Sequence, residues 1–259
     1  PVDAPSVRAL ERVDDHLIVG EASGALSRLD LLTGDRQAIA KLAGQVTAID
    51  ATGAAAGELL VATTAGVFRS QDGGRTWCRS DSGISHLEID AVQVFAAAEG
   101  RERIVTAARA SGIWYSDDEG ASWTCADADV AVVPGLLVAS ATTPRRLYAA
   151  GSKIHVSRDD GRTWTPIDDV PTAYYGRYGR SVDLDIDPAN PDRTFLSYYD
   201  HSMDHYLGVW LIEGTYAAPD GWLWRHHAWF AQPDDWYPAN RSLRAQFDRL
   251  SGRLWVSNG

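Results

Sequence analysis

One eight-residue frame occurs three times in this chain and limits what it can fold into. Ser70-Gln71-Asp72-Gly73-Gly74-Arg75-Thr76-Trp77, Ser116-Asp117-Asp118-Glu119-Gly120-Ala121-Ser122-Trp123 and Ser157-Arg158-Asp159-Asp160-Gly161-Arg162-Thr163-Trp164 all read Ser-x-Asp-x-Gly-x-Thr/Ser-Trp. Their starts lie 46 and 41 residues apart, close to the spacing of roughly 40–50 residues that marks propeller blades. Asp and Ser side chains hydrogen-bond nearby backbone N–H groups, Gly supplies a backbone conformation other residues resist, and Trp buries a large ring. The frame therefore reads as a stapled hairpin turn, a structural device that says little about chemistry.

Between the staples run short apolar or alternating stretches punctuated by Gly, Pro and Asp, the pattern of buried strands. Four fit each repeat. The first repeat takes Val7–Val13, His16–Glu21, Ala25–Leu31 and Gln37–Leu42, with Leu31-Leu32-Thr33-Gly34-Asp35 as a worn staple. The second takes Val46–Asp50, Glu58–Thr63, Gly66–Ser70 and Thr76–Arg79, and the third Ala91–Ala96, Arg103–Ala108, Gly112–Ser116 and Ser122–Ala126. The fourth takes Gly135–Ser140, Arg146–Ala150, Lys153–Ser157 and Thr163–Ile167. In the fifth they are Ser181–Ile186, Thr194–Tyr199, Gly208–Glu213 and Trp222–Trp229, with Asp220-Gly221-Trp222-Leu223-Trp224 as a staple relic. A sixth repeat shows Leu243–Asp248 and Arg253–Asn258. The expected fold is all-β, a β-propeller of about six four-stranded antiparallel blades in one domain over residues 1–259, the last blade incomplete. A half blade exposes a sheet edge that soluble proteins avoid. A further segment or a second chain is therefore the expected partner that completes it, and a closed five-blade ring with a two-stranded overhang is the alternative.

Composition narrows the partners. A net charge of −11 argues against nucleic acid, whose phosphates need basic patches, while ten Trp and ten Tyr in 259 residues exceed what the staples need. No apolar run reaches the roughly 18 residues of a membrane helix, and no cofactor is expected. Cys78 and Cys125 follow motif Trp residues by one and two positions. A disulfide across neighbouring blades is conceivable, but two small buried thiols are the plainer reading.

The staples resemble those of Asp-box (BNR) repeat β-propellers, a group that includes sialidases, sortilin-type receptors, xyloglucanase-like glycoside hydrolases and photosystem assembly factors. The likeness covers residues from about 46 to 200 and includes Asp187-Pro188-Ala189-Asn190-Pro191-Asp192 before a strand. With strands named A to D in each blade, staples fall on the C–D turns, so A–B turns share their rim. The resemblance implies a site on the other rim, that of the B–C turns and D–A links. There the segments around repeat five are long: Asp168–Arg180, Asp200–Leu207 and Phe230–Arg241. Long aromatic and acidic loops on one rim point to a ligand site.

Three sets of residues compete for it. Glu21 and Asp200 close strand B of repeats one and five, and the resemblance to xyloglucanases implies a catalytic Asp at such a place. Asp204, Asp234 and Asp235 are substitutes, and paired carboxylates suit glycoside hydrolysis. Arg180 and Arg241 open strand A in consecutive repeats and could clamp a carboxylate in the manner of the sialidase arginines, although the sialidase Arg-Ile-Pro is missing near the start. His201 and His205, each after an Asp, with His226-His227 in the same repeat, could hold a metal. Tyr174, Tyr175, Arg177, Tyr178, Tyr206, Trp236 and Tyr237 would then be sugar-binding surfaces, while Trp210, Trp222, Trp224 and Trp255 fill between blades. The favoured function is a glycoside hydrolase taking a glycan or other small polar ligand. A non-catalytic propeller that binds a protein, peptide or glycan is the alternative, and a metal-dependent enzyme the second.

Overall fold

A computed structural model describes residues 6–51, 57–97, 100–109, 111–127, 130, 132–142, 145–151, 153–167, 180–201, 207–217, 221–231, 243–248 and 253–258. Every regular element among them is a strand, so no helix there is long and apolar enough to cross a membrane. Blade one is β1 (Val7–Val13), β2 (His16–Glu21), β3 (Ala25–Asp30) and β4 (Arg36–Lys41). Blade two is β5 (Val46–Ala51), β6 (Leu59–Thr63), β7 (Gly66–Ser70) and β8 (Cys78–Arg79). Blade three is β9 (Ile89–Ala96), β10 (Glu102–Ala108), β11 (Gly112–Ser116) and β12 (Thr124–Asp127). Blade four is β13 (Val132–Ala139), β14 (Leu147–Gly151), β15 (Ile154–Ser157) and β16 (Thr165–Pro166). Blade five is β17 (Arg180–Ile186), β18 (Arg193–His201), β19 (Leu207–Ala217) and β20 (Gly221–Ala231), followed by the pair β21 (Leu243–Asp248) and β22 (Arg253–Asn258).

Each blade is a four-stranded antiparallel meander in chain order, and β21–β22 form a two-stranded sheet. The strands fall where apolar alternation placed them, within one to four residues at the ends. The chain forms two compact units, Pro1–Leu137 with Asp160–Arg162 and Val138–Asp159 with Thr163–Gly259.

The repeated frame is a staple in atomic detail. In blade two, Asp72 Oδ1 accepts from Thr76 N at 2.8 Å and Arg75 N at 3.0 Å, while Oδ2 accepts from Thr76 Oγ1 at 2.6 Å. Asp118 with Ser122 and Asp159 with Thr163 repeat these bonds at 2.5–2.9 Å. Blade one keeps the device but centres it on Asp30, whose Oδ1 accepts from Leu32 N and Thr33 N at 2.8 and 2.9 Å. Asp35, the acid of the expected worn staple, does not hold that centre. Thr76's hydroxyl and amide hold the Asp72 carboxyl down at about 2. The Thr33 amide lowers Asp30, and the Ser122 hydroxyl lowers Asp118. In Asp159 burial pulls upward, yet the bonds from Thr163 and Ser157 win and the net shift is down.

A depressed carboxyl adds stability that is fully present above its unfolded pKa of about 3.9 and is lost as pH falls toward the folded value. Thermal unfolding should therefore lose midpoint steadily below about pH 4. Replacing Asp72, Asp118 and Asp159 together by Asn should lower the midpoint at pH 7 and flatten that acid limb; an acid limb as steep as the parent's would contradict the assignment.

The staples also join blades. Trp123 Nε1 donates to Ser80 O at 2.8 Å, and Ser80 Oγ donates to Gly120 O at 3.0 Å. Gly120 lies at φ +84°, and a Cβ there would sit 2.0 Å from Ser80 Oγ. Gly120→Ala should cost about 2 kcal/mol from left-handed strain plus a displaced hydroxyl, measurable by denaturant unfolding. Apolar clusters fill the seams of the first unit. Ile18, Leu26, Val46, Ile49, Leu59, Val61 and Phe68 pack blade one on blade two, and Leu60, Val67, Ile89, Val92, Ile104 and Trp123 pack blade two on blade three.

A second seam is electrostatic and lies on the staple rim, where strand B begins. Register aligns Glu58, Arg103, Arg146 and Arg193 at this place. Arg103 is 1% exposed, with Nε donating to Asp117 Oδ1 at 2.6 Å and Nη1 to Asp160 O at 3.1 Å, and its guanidinium lies over the Tyr115 ring. In blade two the charges are exchanged, and Arg69 binds both Glu58 and Glu119 of the next blade. In the second unit Arg146 Nε donates to Asp192 Oδ1 at 2.7 Å, and Arg193 pairs with Glu213 and Asp187.

Two expectations change. Cys78 and Cys125 are free and exposed, neither paired nor buried. Both sit on the outermost strand of a blade, opposite Arg69 and Trp114, where no further layer covers them. Of the expected staple relic of blade five, Gly221, Trp222, Leu223 and Trp224 are ladder residues of β20 rather than a turn, and Asp220 lies outside the described residues.

Candidate functional site

Backbone pairing in blade five brings the proposed loop roots together. Arg180 opens β17 opposite Tyr199, Asp200 pairs with Gly208, His201 pairs with Leu207, and Gly208 pairs with Ala231. All these positions occupy one end of one antiparallel sheet, the end opposite the staple rim. Asp200 and His201 are ladder residues rather than loop residues, because their backbone bonds extend β18 by two positions beyond the sequence expectation. The segments between these roots carry Tyr174, Tyr175, Arg177, Tyr178, Asp204, His205, Tyr206, Asp234, Asp235, Trp236, Tyr237 and Arg241, all outside the described residues. Against the same blade packs β21, which touches β17 and β18.

Glu21 stands at the end of β2 in the first unit. Arg36 Nη2 donates to its Oε1 at 2.6 Å and Ser23 Oγ to its Oε2 at 3.2 Å, so this carboxylate is tied into its own blade. The expected interior role of Trp222 fits: it is half-buried, edge-on to Tyr148 and tilted against Tyr216, both at 5.8 Å between centroids. Among the described residues no group of three or more His, Cys, Asp or Glu is placed to hold a metal ion.

One cluster on the B–C and D–A rim of the first unit was missed by sequence reasoning. Asp90, 2% exposed at the start of β9, accepts from Arg109 Nη2 at 2.7 Å, and Arg109 Nη1 donates to Glu88 Oε1 at 3.1 Å. Burial pushes the Asp90 carboxyl up despite the guanidinium, whose own pKa the pair raises. The available signal was Glu88-Ile89-Asp90, two same-face acids entering a strand, opposite an Arg in the following B–C turn. A raised carboxyl is destabilising when ionised, so Asp90→Asn should leave the melting temperature at pH 7 unchanged or higher. Arg109→Leu leaves a buried charge unpaired and should cost about 1–3 kcal/mol. Paired melts at pH 7 test both, and a larger loss from Asp90→Asn would contradict this ranking.

The staple rim offers an open cleft of about 550 Å³ lined by Glu58, Gly100, Arg101, Glu102, Asp117, Asp118 and Glu119. Four of its acids are engaged structurally: Glu58 and Glu119 by Arg69, Asp117 by Arg103, and Asp118 by its own turn. The cleft therefore belongs to the blade-to-blade seam.

No protein-family model and no curated protein matches the chain. Solved structures do. An ancestral GH74 enzyme aligns with a TM-score of 0.70 and 14% identity over 98% of this chain and 35% of its own. The GH74 xyloglucanase from Xanthomonas campestris aligns with a TM-score of 0.60 and 16% identity over 97% of this chain and 43% of its own. YCF48 bound to D1 peptide aligns with a TM-score of 0.53 and 13% identity over 84% of this chain and 66% of its own. The chain thus spans less than half the length of the two GH74 enzymes. At such identities the likeness carries architecture alone. Five four-stranded antiparallel sheets in chain order and these neighbours give the chain the β-propeller fold.

Proposed function

We propose that this protein is a carbohydrate-active propeller of the Asp-box kind, a glycoside hydrolase whose site lies on the B–C and D–A rim of blade five. The observation that carries the reading is the gathering of Arg180, Asp200, His201 and the roots of three long aromatic segments at one sheet end. The GH74 likeness supports it at the level of fold.

In this reading Asp200 is one of two carboxylates flanking a glycosidic bond, and Asp204 or Asp235 is the other. One protonates the leaving oxygen, and the other activates water or attacks the anomeric carbon. Asp200 suits such a role because a strand end holds its backbone within a hydrogen-bonded ladder, and rigid elements position reacting groups better than free loops. Arg180, fixed at the start of the adjacent strand, orients the sugar through its forked N–H donors. Tyr174, Tyr175, Tyr178, Trp236 and Tyr237 cover the apolar faces of sugar rings.

Calorimetric titration with xyloglucan and other β-glucan oligosaccharides tests this placement. Arg180→Ala should weaken binding about tenfold, or about 1.4 kcal/mol. Arg158→Ala, on the staple rim over Tyr216, should leave it unchanged. Equal effects from the two variants, or none from Arg180→Ala, would remove the proposed site.

A second reading is a propeller that binds a partner without turnover. It is favoured by the commitment of Glu21 to Arg36 and Ser23, and by the likeness to YCF48, solved with a peptide bound. Here Asp200 would be a contact residue rather than a catalytic one.

A further inference from the structure

The outer strand of blade five differs from those of the other blades. Strands β8, β12 and β16 contain two, four and two residues, and β4 contains six. Strand β20 contains eleven, Gly221-Trp222-Leu223-Trp224-Arg225-His226-His227-Ala228-Trp229-Phe230-Ala231. It ends its sheet, and among the described residues its ladder partner is β19 alone. Short outer strands are one way that proteins blunt exposed edges; a long edge presents a row of unpaired N–H and C=O groups. Here the hairpin ladder continues to Ala217–Gly221, so among the described outer strands the edge is longest in this blade. The hairpin is anchored, since Trp222 packs against Tyr148 and Tyr216, while Leu223 is 59% exposed and Arg225 is exposed beside it.

Charge indicates what would complete the edge. The chain carries a net −11, yet β20 holds no carboxylate and places the cationic Arg225 near its middle. A second copy of β20 paired antiparallel about Arg225 would set two guanidinium groups against each other, and like charges directly opposite are unfavourable. An extended segment with acidic residues would instead place carboxylates opposite Arg225 and apolar side chains beside Leu223. We propose that the outer edge of β20 is a strand-addition site for an extended acidic and aliphatic segment of another polypeptide. Backbone bonds along the edge would give affinity, and Arg225 would select for acid. This edge meets the sugar site proposed above only at its Ala231 end, and neither reading depends on the other.

The test uses the full chain and a fluorescein-labelled synthetic decapeptide of alternating Glu and Val, capped at both ends. Two companions accompany it: the same peptide N-methylated at every other residue, and the Lys-for-Glu version. Fluorescence anisotropy should show saturable binding of the acidic peptide, with at least a tenfold loss on N-methylation, on Lys replacement and in Arg225→Glu. In hydrogen exchange, alternate β20 amides should be fast in the free protein and slow in the complex. Absence of binding at millimolar peptide, or equal binding of the N-methylated form, would overturn the proposal. So would sedimentation showing a dimer lost in Arg225→Glu without peptide uptake, which would assign the edge to a second copy.

Discussion

Asp200→Asn is expected to lower glycoside hydrolysis at least about a thousandfold while oligosaccharide affinity stays within about threefold. The asymmetry follows from what the substitution removes. Asn keeps the volume and hydrogen-bonding outline of the carboxyl, and the backbone of residue 200 remains paired with Gly208 at the sheet end. Sugar contacts made in the ground state therefore survive, and proton transfer or nucleophilic attack does not. Glycosidases depend on both carboxylates in an oxocarbenium-like transition state, and interactions made only there raise kcat without affecting binding. Steady-state kinetics of reducing-sugar release, with calorimetry on the same variant, separates the alternatives. If the chain only binds its ligand, the parent shows no turnover, and the substitution weakens affinity instead.

The largest loss of stability should come from Arg103→Ala, about 3–4 kcal/mol in denaturant unfolding. Its side chain is 1% exposed and fills the space among Asp117, Tyr115 and the Asp160 carbonyl. Truncation opens a cavity, removes the bond to the Asp160 carbonyl and removes the guanidinium that lies over the Tyr115 ring. Asp117 is 43% exposed on its side chain and keeps Arg162 Nη2 at 3.7 Å, so the loss falls short of that for an orphaned buried ion. Arg103→Met restores volume without charge and should recover about half of the loss. A loss below about 1 kcal/mol for Arg103→Ala would make the interaction an ordinary surface pair and contradict the seam.

The periodic part of the architecture was legible because each blade repeats the same local instructions. His16–Glu21, Gly66–Ser70, Gly112–Ser116, Leu243–Asp248 and Arg253–Asn258 come out of alternation and turn residues with the same ends as the observed strands. The staples were legible for a similar reason: Asp72 and Thr76 are four residues apart, and their bonds form within the turn. Contacts between blades were not. Arg103 meets Asp160 across 57 residues, and Arg146 meets Asp192 across 46. Sequence reasoning used Arg103 and Arg146 only as strand starts, although an Arg recurring before the second strand of successive repeats was the available sign of a seam.

The cysteines illustrate a different gap. Composition favours burial for a thiol, but position on an outermost strand decides against it, and position depends on blade order. Blade five departs at both ends: strands C and D pair as far as Ala217–Gly221 on the staple rim, and at the opposite end Tyr198 and Tyr199 of strand B with Val209 and Trp210 of strand C favour continued pairing. That continuation moves Asp200 and His201 from the loop to the ladder. The sheet end that carries the roots of the three long segments was legible, because turn alternation follows from antiparallel order. Which side chains meet there depends on loop geometry that no local periodicity encodes.

Chemical-shift mapping with a bound β-glucan oligosaccharide tests the central claim most directly. The amides of Arg180, Asp200, His201, Leu207 and Ala231 should shift together and saturate at the affinity measured by calorimetry. Saturable shifts confined to Gly100–Glu102 and Asp117–Glu119, on the staple rim, would contradict it.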